Sequence, residues 1–283
     1  MSFRPFNIDI PINNSEVILG KGIFFKYKSL DCKNFDFTIE LIKNQRIYCP
    51  SPSQTNDKEE EFRPPISVGN YDDQTYKQKI RDWAFRVLKK SPPYPSDDEI
   101  EKEIATFTQC TLEKYAKEMT SSYHAQLDSD YRLISLSDNP FNTHLWDEYS
   151  DNFSGICLGI QIHHTLGAAH KVSYVENKPL WDLTSDEGME TLQASALTKL
   201  LKWKKEREYR IVLREPPLQG SQPLLNQKLI VPHIFFRSVY LGHRMSYKNK
   251  KLIIDLVGRH LPYTKIFALE SSVPFKNPTL KML

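Results

Sequence analysis

The stretch YRLISLSDNPFNTHLWDEYSDNFSGICLGIQI, residues 131–162, decides the fold. Branched and aromatic residues make Tyr131 to Leu136 and Gly155 to Ile162 typical of β-strands. Between them, Asn142 to Tyr149 has the apolar spacing of a short helix. The stretch therefore predicts two strands of a sheet with one short helix in the connection.

Outward from this stretch, further segments have the composition of strands and lie in clusters along the chain. They are Ile23 to Tyr27, Arg46 to Cys49, Lys171 to Val175, Glu208 to Leu213, Lys228 to Val231, Ser238 to Leu241 and Thr264 to Leu269. Helical patterns separate the clusters at Asn34 to Asn44, Ser185 to Trp203 and Tyr247 to Arg259. Because strands and helices do not alternate as regular βαβ units, we expect an α+β fold with a mixed, mainly antiparallel sheet and flanking helices.

A second helical region interrupts the predicted sheet at residues 71–122. Thr75 to Lys89 and Asp97 to Ser121 both have apolar residues at helical spacing, and acidic residues begin the second segment, where they suit the helix dipole. We expect residues 1–283 to form a single α+β domain with this region as a helical insertion. The sequence leaves open whether the insertion is a lid or a partner-binding surface. The first twenty residues are expected to form an arm or a short edge strand.

Composition excludes several classes of protein. The 283 residues are 40% hydrophobic and 26% charged, which excludes wholesale disorder, and a net charge of +3 neither requires nor excludes nucleic acid. The four cysteines form no C-x-x-C pair, so no zinc ribbon or disulfide framework is expected. No apolar run approaches the ~18 residues that cross a bilayer. We therefore expect a cytoplasmic protein with no membrane partner, and its oligomeric state stays open.

No common sequence pattern of a metal, phosphate or hydrolase site is present, and no metal cofactor is expected. Four other stretches stand out by their content and by their order along the chain. They are Phe25 to Ser29 (FKYKS), Ile47 to Asp57 (IYCPSPSQTND), Leu133 to Gly159 and Trp203 to Arg210 (WKKEREYR).

In this order, the four stretches resemble the bacterial family catalogued as domain of unknown function 2971, from about Phe24 to Leu241. The resemblance rests on a K-Y-x-S opening, an S-x-S strand, a W-x-x-Y segment, a G-x-C-x-G strand and a final W-x-x-E-x-E-Y-R. The chain departs from the family pattern at Lys58, where proline usually follows Asn56-Asp57, and in the long helical segment before Ser135.

The opening is also similar, more distantly, to the H-Y-T-S opening of ADP-ribosyltransferase-like folds. That resemblance implies an NAD-binding protein with a basic residue on the first strand, a central S-x-S and a late E-x-E whose second glutamate is catalytic. The corresponding residues of this chain are Lys26, Tyr27, Ser135, Ser137, Glu206 and Glu208. Lys26 replaces the usual His or Arg.

The chemistry of NAD explains why such residues would be useful. Cleavage of the nicotinamide–ribose bond passes through an oxocarbenium-like state, which a carboxylate on the ribose hydroxyl stabilises. In one strand, Glu206 and Glu208 would share a face, so that one orients an acceptor while the other holds the ribose. Lys26 could meet the pyrophosphate, and Tyr27 or Tyr149 could stack on the nicotinamide ring. The acceptor could be a protein, a nucleic acid or a small molecule.

Two other functions fit the same residues. The chain could be a non-catalytic interaction or sensor module, in a defence or stress system, that keeps the fold without turnover. It could instead process nucleic acid with the basic run from Lys199 to Arg210. Glu206 and Glu208 could also be a solvated edge strand held by surface ion pairs, each worth about 0–1 kcal/mol.

Overall fold

The computed structural model describes residues 22–55, 63–90, 92–163, 166–178, 180–185, 195–215, 223–270 and 280–282. The strands are β1 Ile23–Lys28, β2 Arg46–Tyr48, β3 Ile66–Ser67, β4 Tyr131–Ser137, β5 Ile156–Gln161, β6 His170–Lys171, β7 Ser173–Val175, β8 Trp181–Asp182, β9 Thr198–Leu200, β10 Glu208–Arg214, β11 Lys228–Ile230, β12 Phe236–Leu241, β13 Lys265–Leu269 and β14 Leu280–Met282. The helices are α1 Phe35–Asn44, α2 Gln74–Leu88, α3 Asp97–Ile104, α4 Gln109–Asp130, α5 Thr143–Tyr149 and α6 Tyr247–His260. The predicted N-terminal arm and the Asn56-Asp57-Lys58 turn lie outside the described residues.

Eight strands form the central sheet, in the order β14-β13-β12-β5-β1-β4-β10-β6. Within the described part of this sheet, β12 and β13 run parallel and the other neighbours run antiparallel. This arrangement confirms the predicted α+β fold with a mixed, mainly antiparallel sheet. Three smaller two-stranded pairs lie beside the main sheet: β2 with β11, β3 with β8, and β7 with β9.

The two faces of the sheet bury different material. On one face, here called the core face, Phe24, Leu136 and Leu158 join the largest hydrophobic cluster together with residues from α1 and α6. On the other, here called the polar face, Tyr27 packs with Trp146 of α5. The register of the strands assigns further residues to the polar face. Phe25 of β1 pairs with Ser137 of β4, and Ser137 pairs with Glu208 of β10, so the side chains of all three lie on that face.

The region predicted as a helical insertion is helical, with different bounds. The expected helix from Asp97 to Ser121 is two helices, because Thr108 accepts a hydrogen bond from the Thr111 backbone and so begins α4 anew. α4 then continues past residue 122 and ends where β4 begins. The side chains that α2, α3 and α4 bury together form a hydrophobic cluster separate from the main core. Its members include Ile80, Trp83, Ile100, Leu112 and Ala116.

The prediction of one long helix from Ser185 to Trp203 is wrong from residue 198 onward, although residues 195–196 are helical. Residues 198–200 form β9, which pairs in parallel with β7, and residues 201–206 form a 3-10 helix. Pairing with a neighbouring strand overrides the local helical pattern here. Among the described helices, none combines the length and the apolar character that crossing a bilayer requires.

Candidate functional site

Two carboxylates and one ammonium group meet at the start of β10. Lys199 Nζ donates to Glu206 Oε2 at 2.8 Å and to Glu208 Oε2 at 3.2 Å. The three side chains are nearly inaccessible to solvent. The exposed fraction is 6% for Lys199, 5% for Glu206 and 4% for Glu208. A buried ammonium shared by two carboxylates is a strong electrostatic link, since water does not screen it.

Arg210 supplies a second cation to Glu208. Its Nε donates to Glu208 Oε1 at 2.9 Å and its Nη2 to Oε2 at 3.2 Å, while Nη1 donates to the Ala196 carbonyl at 2.8 Å. Burial alone would raise the pKa of Glu208, but the charges of Arg210 and Lys199 and the hydrogen bonds of Arg210 and Ser135 lower it to about 2. The Glu208 carboxylate is therefore ionised throughout the physiological pH range.

The backbone between the two glutamates differs from the predicted strand. Glu206 ends the 3-10 helix, Arg207 takes a left-handed conformation with φ 52° and ψ 51°, and Glu208 begins β10. We expected strand alternation to bring the two carboxylates together, and this expectation is wrong. The left-handed turn at Arg207 brings them together instead. β10 lies between β4 and β6 and both glutamates are buried, so they are not a solvated edge strand.

Three partly buried aromatic side chains contact this charged cluster. Tyr149 Oη donates to Glu206 Oε1 at 2.9 Å, and the Glu208 backbone N–H donates to Tyr174 Oη at 2.8 Å. The Trp203 ring lies with its centroid 4.9 Å from Lys199 Nζ, within the range of a cation–π contact. Burial beside the Glu208 and Glu206 charges raises the pKa of Tyr174 to about 12, so its hydroxyl stays protonated.

The two serines of the central S-x-S segment have different roles. Ser137 is buried, and its hydroxyl donates to the Glu206 carbonyl at 3.3 Å. Ser135 is exposed, and its side chain lies close enough to the Glu208 carboxylate to help lower the pKa of Glu208. Of the two, Ser135 is the one that a ligand at the carboxylates could reach.

Tyr27 lies on the same face of the sheet, below α5. Its hydroxyl donates to the Asn139 carbonyl at 2.6 Å and accepts from the Asn142 backbone N–H at 3.1 Å, and its ring meets Trp146 edge-on at 5.4 Å. Tyr27 is buried, so its position is that of a support for α5, and α5 in turn supplies Tyr149 to the cluster.

The structure does not bring Lys26 into the carboxylate cluster. Lys26 pairs in register with Leu158, so its side chain leaves β1 on the core face, opposite to Glu208. Its Nζ donates to the Ser135 carbonyl at 3.0 Å. The charge of Glu208 still influences the Lys26 ammonium across the sheet, but burial has the larger effect and lowers the pKa of Lys26.

Sequence reasoning missed Lys199 and Tyr174 as members of the site. Lys199 and Arg210 were read as parts of a basic surface, whereas both are buried against carboxylates. One signal in the sequence pointed to this arrangement. The basic run contains Glu206 and Glu208, whose carboxylates can form ion pairs with the lysines and arginines of the same run. Tyr174 carries no local signal, because its contact with Glu208 depends on the pairing of β6 with β10, which brings the following strand β7 close to the start of β10.

The chain matches no known protein-family model, no curated protein and no solved structure. The resemblances to the domain of unknown function 2971 family and to ADP-ribosyltransferase-like folds therefore stay predictions. In the described parts of the chain, no three His, Cys, Asp or Glu side chains lie together as a metal site would require.

Proposed function

We propose that this chain binds NAD or a related nucleotide at the Glu206–Glu208 pair and transfers or hydrolyses its ADP-ribose group. One observation carries the proposal: two buried carboxylates share the Lys199 ammonium beside partly buried aromatic side chains and the exposed Ser135 hydroxyl. Planar aromatic rings suit a nicotinamide ring, and a fixed negative charge suits the sugar that becomes cationic when the bond breaks.

In this proposal, Glu208 is the catalytic carboxylate. Its low pKa suits electrostatic stabilisation and excludes a role as a general acid near neutral pH. The nicotinamide–ribose bond breaks with its electron pair leaving on nicotinamide, and an oxygen of water or of an acceptor adds to the same carbon. Glu206, oriented by Tyr149, receives the proton that this oxygen releases.

The predicted contact between Lys26 and the substrate is not part of the proposed site. Lys26 projects from the opposite face of the sheet, so it does not point at a nucleotide held by Glu208. The proposed ligand contacts are instead Tyr149, Tyr174, Trp203 and Ser135. The acceptor, whether a protein, a nucleic acid or a small molecule, is to be identified by labelling.

A second candidate is a nucleotide-sensing or interaction module without turnover, and one observation favours it. Arg210 and Lys199 already engage both oxygens of Glu208, so a ribose hydroxyl would have to share or displace one of these hydrogen bonds. Such a module would bind nucleotide and leave the nicotinamide–ribose bond intact.

Nicotinamide release from NAD distinguishes the two candidates. The purified protein is incubated with NAD, with and without cell lysate, and compared with Glu208→Gln and Tyr149→Phe. Glu40→Gln is the matched control, since Glu40 is also an ion-paired carboxylate but contacts Lys228 and Arg46 instead. Thermal unfolding of each variant in the same buffer verifies that it is folded.

We expect release by the wild type and by Glu40→Gln, a loss of at least 100-fold in Glu208→Gln, and a smaller loss in Tyr149→Phe. NAD binding without release, weakened by Glu208→Gln, would favour the sensing module. If the protein shows no NAD binding and no nicotinamide release, with or without lysate, both candidates are excluded.

A further inference from the structure

Lys26 and Lys28 form a pair of cations on the core face of the central sheet. They are two residues apart in β1, so their side chains leave the strand on the same side. β1 lies inside the sheet, between β5 and β4, and the two lysines pair in register with Leu158 and Ile156, which are fully buried. Lysines are rare at such positions because an ammonium loses its hydration there.

Both lysines nevertheless keep part of their surface accessible to solvent. β1 and β4 share only the register pair of Phe25 and Ser137, whereas β1 pairs with β5 along its whole length. Beyond that pair, the Ser135 carbonyl accepts a hydrogen bond from Lys26 Nζ instead of from a backbone N–H of β1. The ammonium of Lys26 therefore lies where the two strands part.

Within the described residues, no carboxylate forms an ion pair with either lysine, and the Glu208 charge acts on Lys26 only from the other face of the sheet. The Lys26 ammonium donates to a neutral carbonyl, and the Lys28 ammonium makes no hydrogen bond or ion pair in the described part of the chain. Cys49 is the neighbouring titratable group on this face, and burial raises its pKa to about 11, so its thiol is uncharged near neutral pH. Glu215 also lies near Cys49, but Arg132 holds its carboxylate at 2.9 Å.

We propose that Lys26 and Lys28 bind a small phosphate-bearing anion on the face of the sheet opposite Glu208. Two recessed lysine side chains, with no carboxylate of the described residues bound to either, offer several N–H donors and, once both are protonated beside a ligand, two positive charges, which match a phosphate group. Because the lysines are recessed among core residues, the ligand has to be small. This site goes beyond the proposed function, since its two lysine side chains lie on the other face of the sheet from Glu208; Ser135 lies between the two sites and offers its carbonyl to Lys26 and its hydroxyl to the carboxylate side.

The ionisation of the two lysines is consistent with such a ligand. Burial, followed by repulsion from Lys26, lowers the pKa of Lys28 to about 7. A bound phosphate would offset both effects, so binding near pH 8 should be accompanied by proton uptake.

Inorganic pyrophosphate is the probe for this site. Its binding is measured by calorimetry at constant ionic strength, in two buffers that differ in ionisation enthalpy, on the wild type, Lys26→Met and Lys28→Met. Methionine keeps the length of the side chain and removes the charge. Lys171→Met is the control, because Lys171 is an exposed lysine on β6, at the edge of the same sheet.

We expect the wild type and Lys171→Met to bind pyrophosphate with proton uptake. Lys26→Met and Lys28→Met should each bind it at least tenfold more weakly. Below pH 7, where Lys28 is mostly protonated, Lys28→Met should also melt at a higher temperature than the wild type without ligand, since it removes a partly buried charge that no described residue pairs. Glu208→Gln should keep the binding, so that this site and the proposed function can fail independently. Absence of wild-type binding at millimolar pyrophosphate, or unchanged binding in Lys28→Met, would overturn the proposal.

Discussion

Lys26 and Glu208 project from opposite faces of the central sheet. Glu208 is in register with Phe25 through Ser137, and Lys26 is the next residue of β1, so strand alternation sends their side chains apart. The two charged sites of the molecule are therefore separated by the sheet backbone. A substitution at Glu208 removes no hydrogen bond of Lys26, although the Glu208 charge acts on the Lys26 ammonium across the sheet.

Replacing Glu208 should weaken the fold in a way that depends on pH. We expect Glu208→Gln to lower the free energy of unfolding by on the order of 3 kcal/mol at pH 7, because Arg210 and Lys199 lose a buried counter-charge. The folded-state pKa of Glu208 is below its ordinary value, so its contribution is fully present above pH 4.5 and is lost as the pH falls towards 2.

Urea denaturation at pH 7 and at pH 3 checks this expectation. The difference between the wild type and Glu208→Gln should shrink at pH 3. Glu40→Gln, in a more accessible ion pair, should cost less than about 1 kcal/mol at pH 7. Equal effects of the two substitutions at pH 7 would contradict the buried network.

The pH profile of nicotinamide release tests the role of Glu208 in the proposed reaction. Since Glu208 is ionised well below neutral pH, its titration should cause no change in rate between pH 5 and pH 9. The rate is measured at saturating NAD across that range. An acid limb that disappears in Glu208→Gln would show that the carboxylate titrates near its ordinary value.

The cysteines should divide into two reactive and two inert thiols. Cys32 and Cys110 are exposed, while Cys49 and Cys157 are buried, and burial raises the pKa of both buried thiols. With a thiol reagent at pH 7.5, we expect two equivalents to react quickly in the native protein and all four after denaturation. Rapid reaction of a third thiol in the native state would show that one of the buried sites opens.

Substitutions at Arg207 should follow backbone conformation more than charge. Arg207→Gly should leave the free energy of unfolding within about 0.5 kcal/mol of the wild type, because relief at the left-handed φ offsets the extra freedom of the unfolded chain. Arg207→Val should lower it by about 1–2 kcal/mol. Both lose the exposed contact with Asp138, so the comparison isolates the backbone. Denaturant titration of the pair provides the measurement.

The sequence was sufficient for six of the eight strands of the central sheet and for the general position of most described helices; β14 was not predicted, and the predicted strand from Lys171 to Val175 is divided between β6 and β7. Short apolar and branched runs such as Gly155 to Ile162 report burial on both faces directly, which is why β5 was predicted within a residue of its ends. The S-x-S and E-x-E segments are neighbours in the structure, since Ser137 pairs with Glu208.

The charged cluster itself could not be derived from local patterns. Lys199 reaches the glutamates because β9 pairs with β7 and the chain then turns through a 3-10 helix, and that pairing joins segments more than twenty residues apart. Likewise, alternation along β1 gives two possible faces for Lys26, and only the register with β4 and β10 shows which of them Glu208 occupies.

The separate hydrophobic cluster of α2, α3 and α4 has a consequence for how this protein can change over evolutionary time. Its buried side chains, such as Ile80, Ile100 and Leu112, pack on one another and on Ile66 and Leu183, rather than on the main core. Insertions and exchanges among these side chains can therefore accumulate with little change to the main core, whereas the last turns of α4, which pack Tyr123 and Leu127 against β4, are tied to the sheet. Related chains would be recognised by the sheet, while their helical layers could differ in length and sequence.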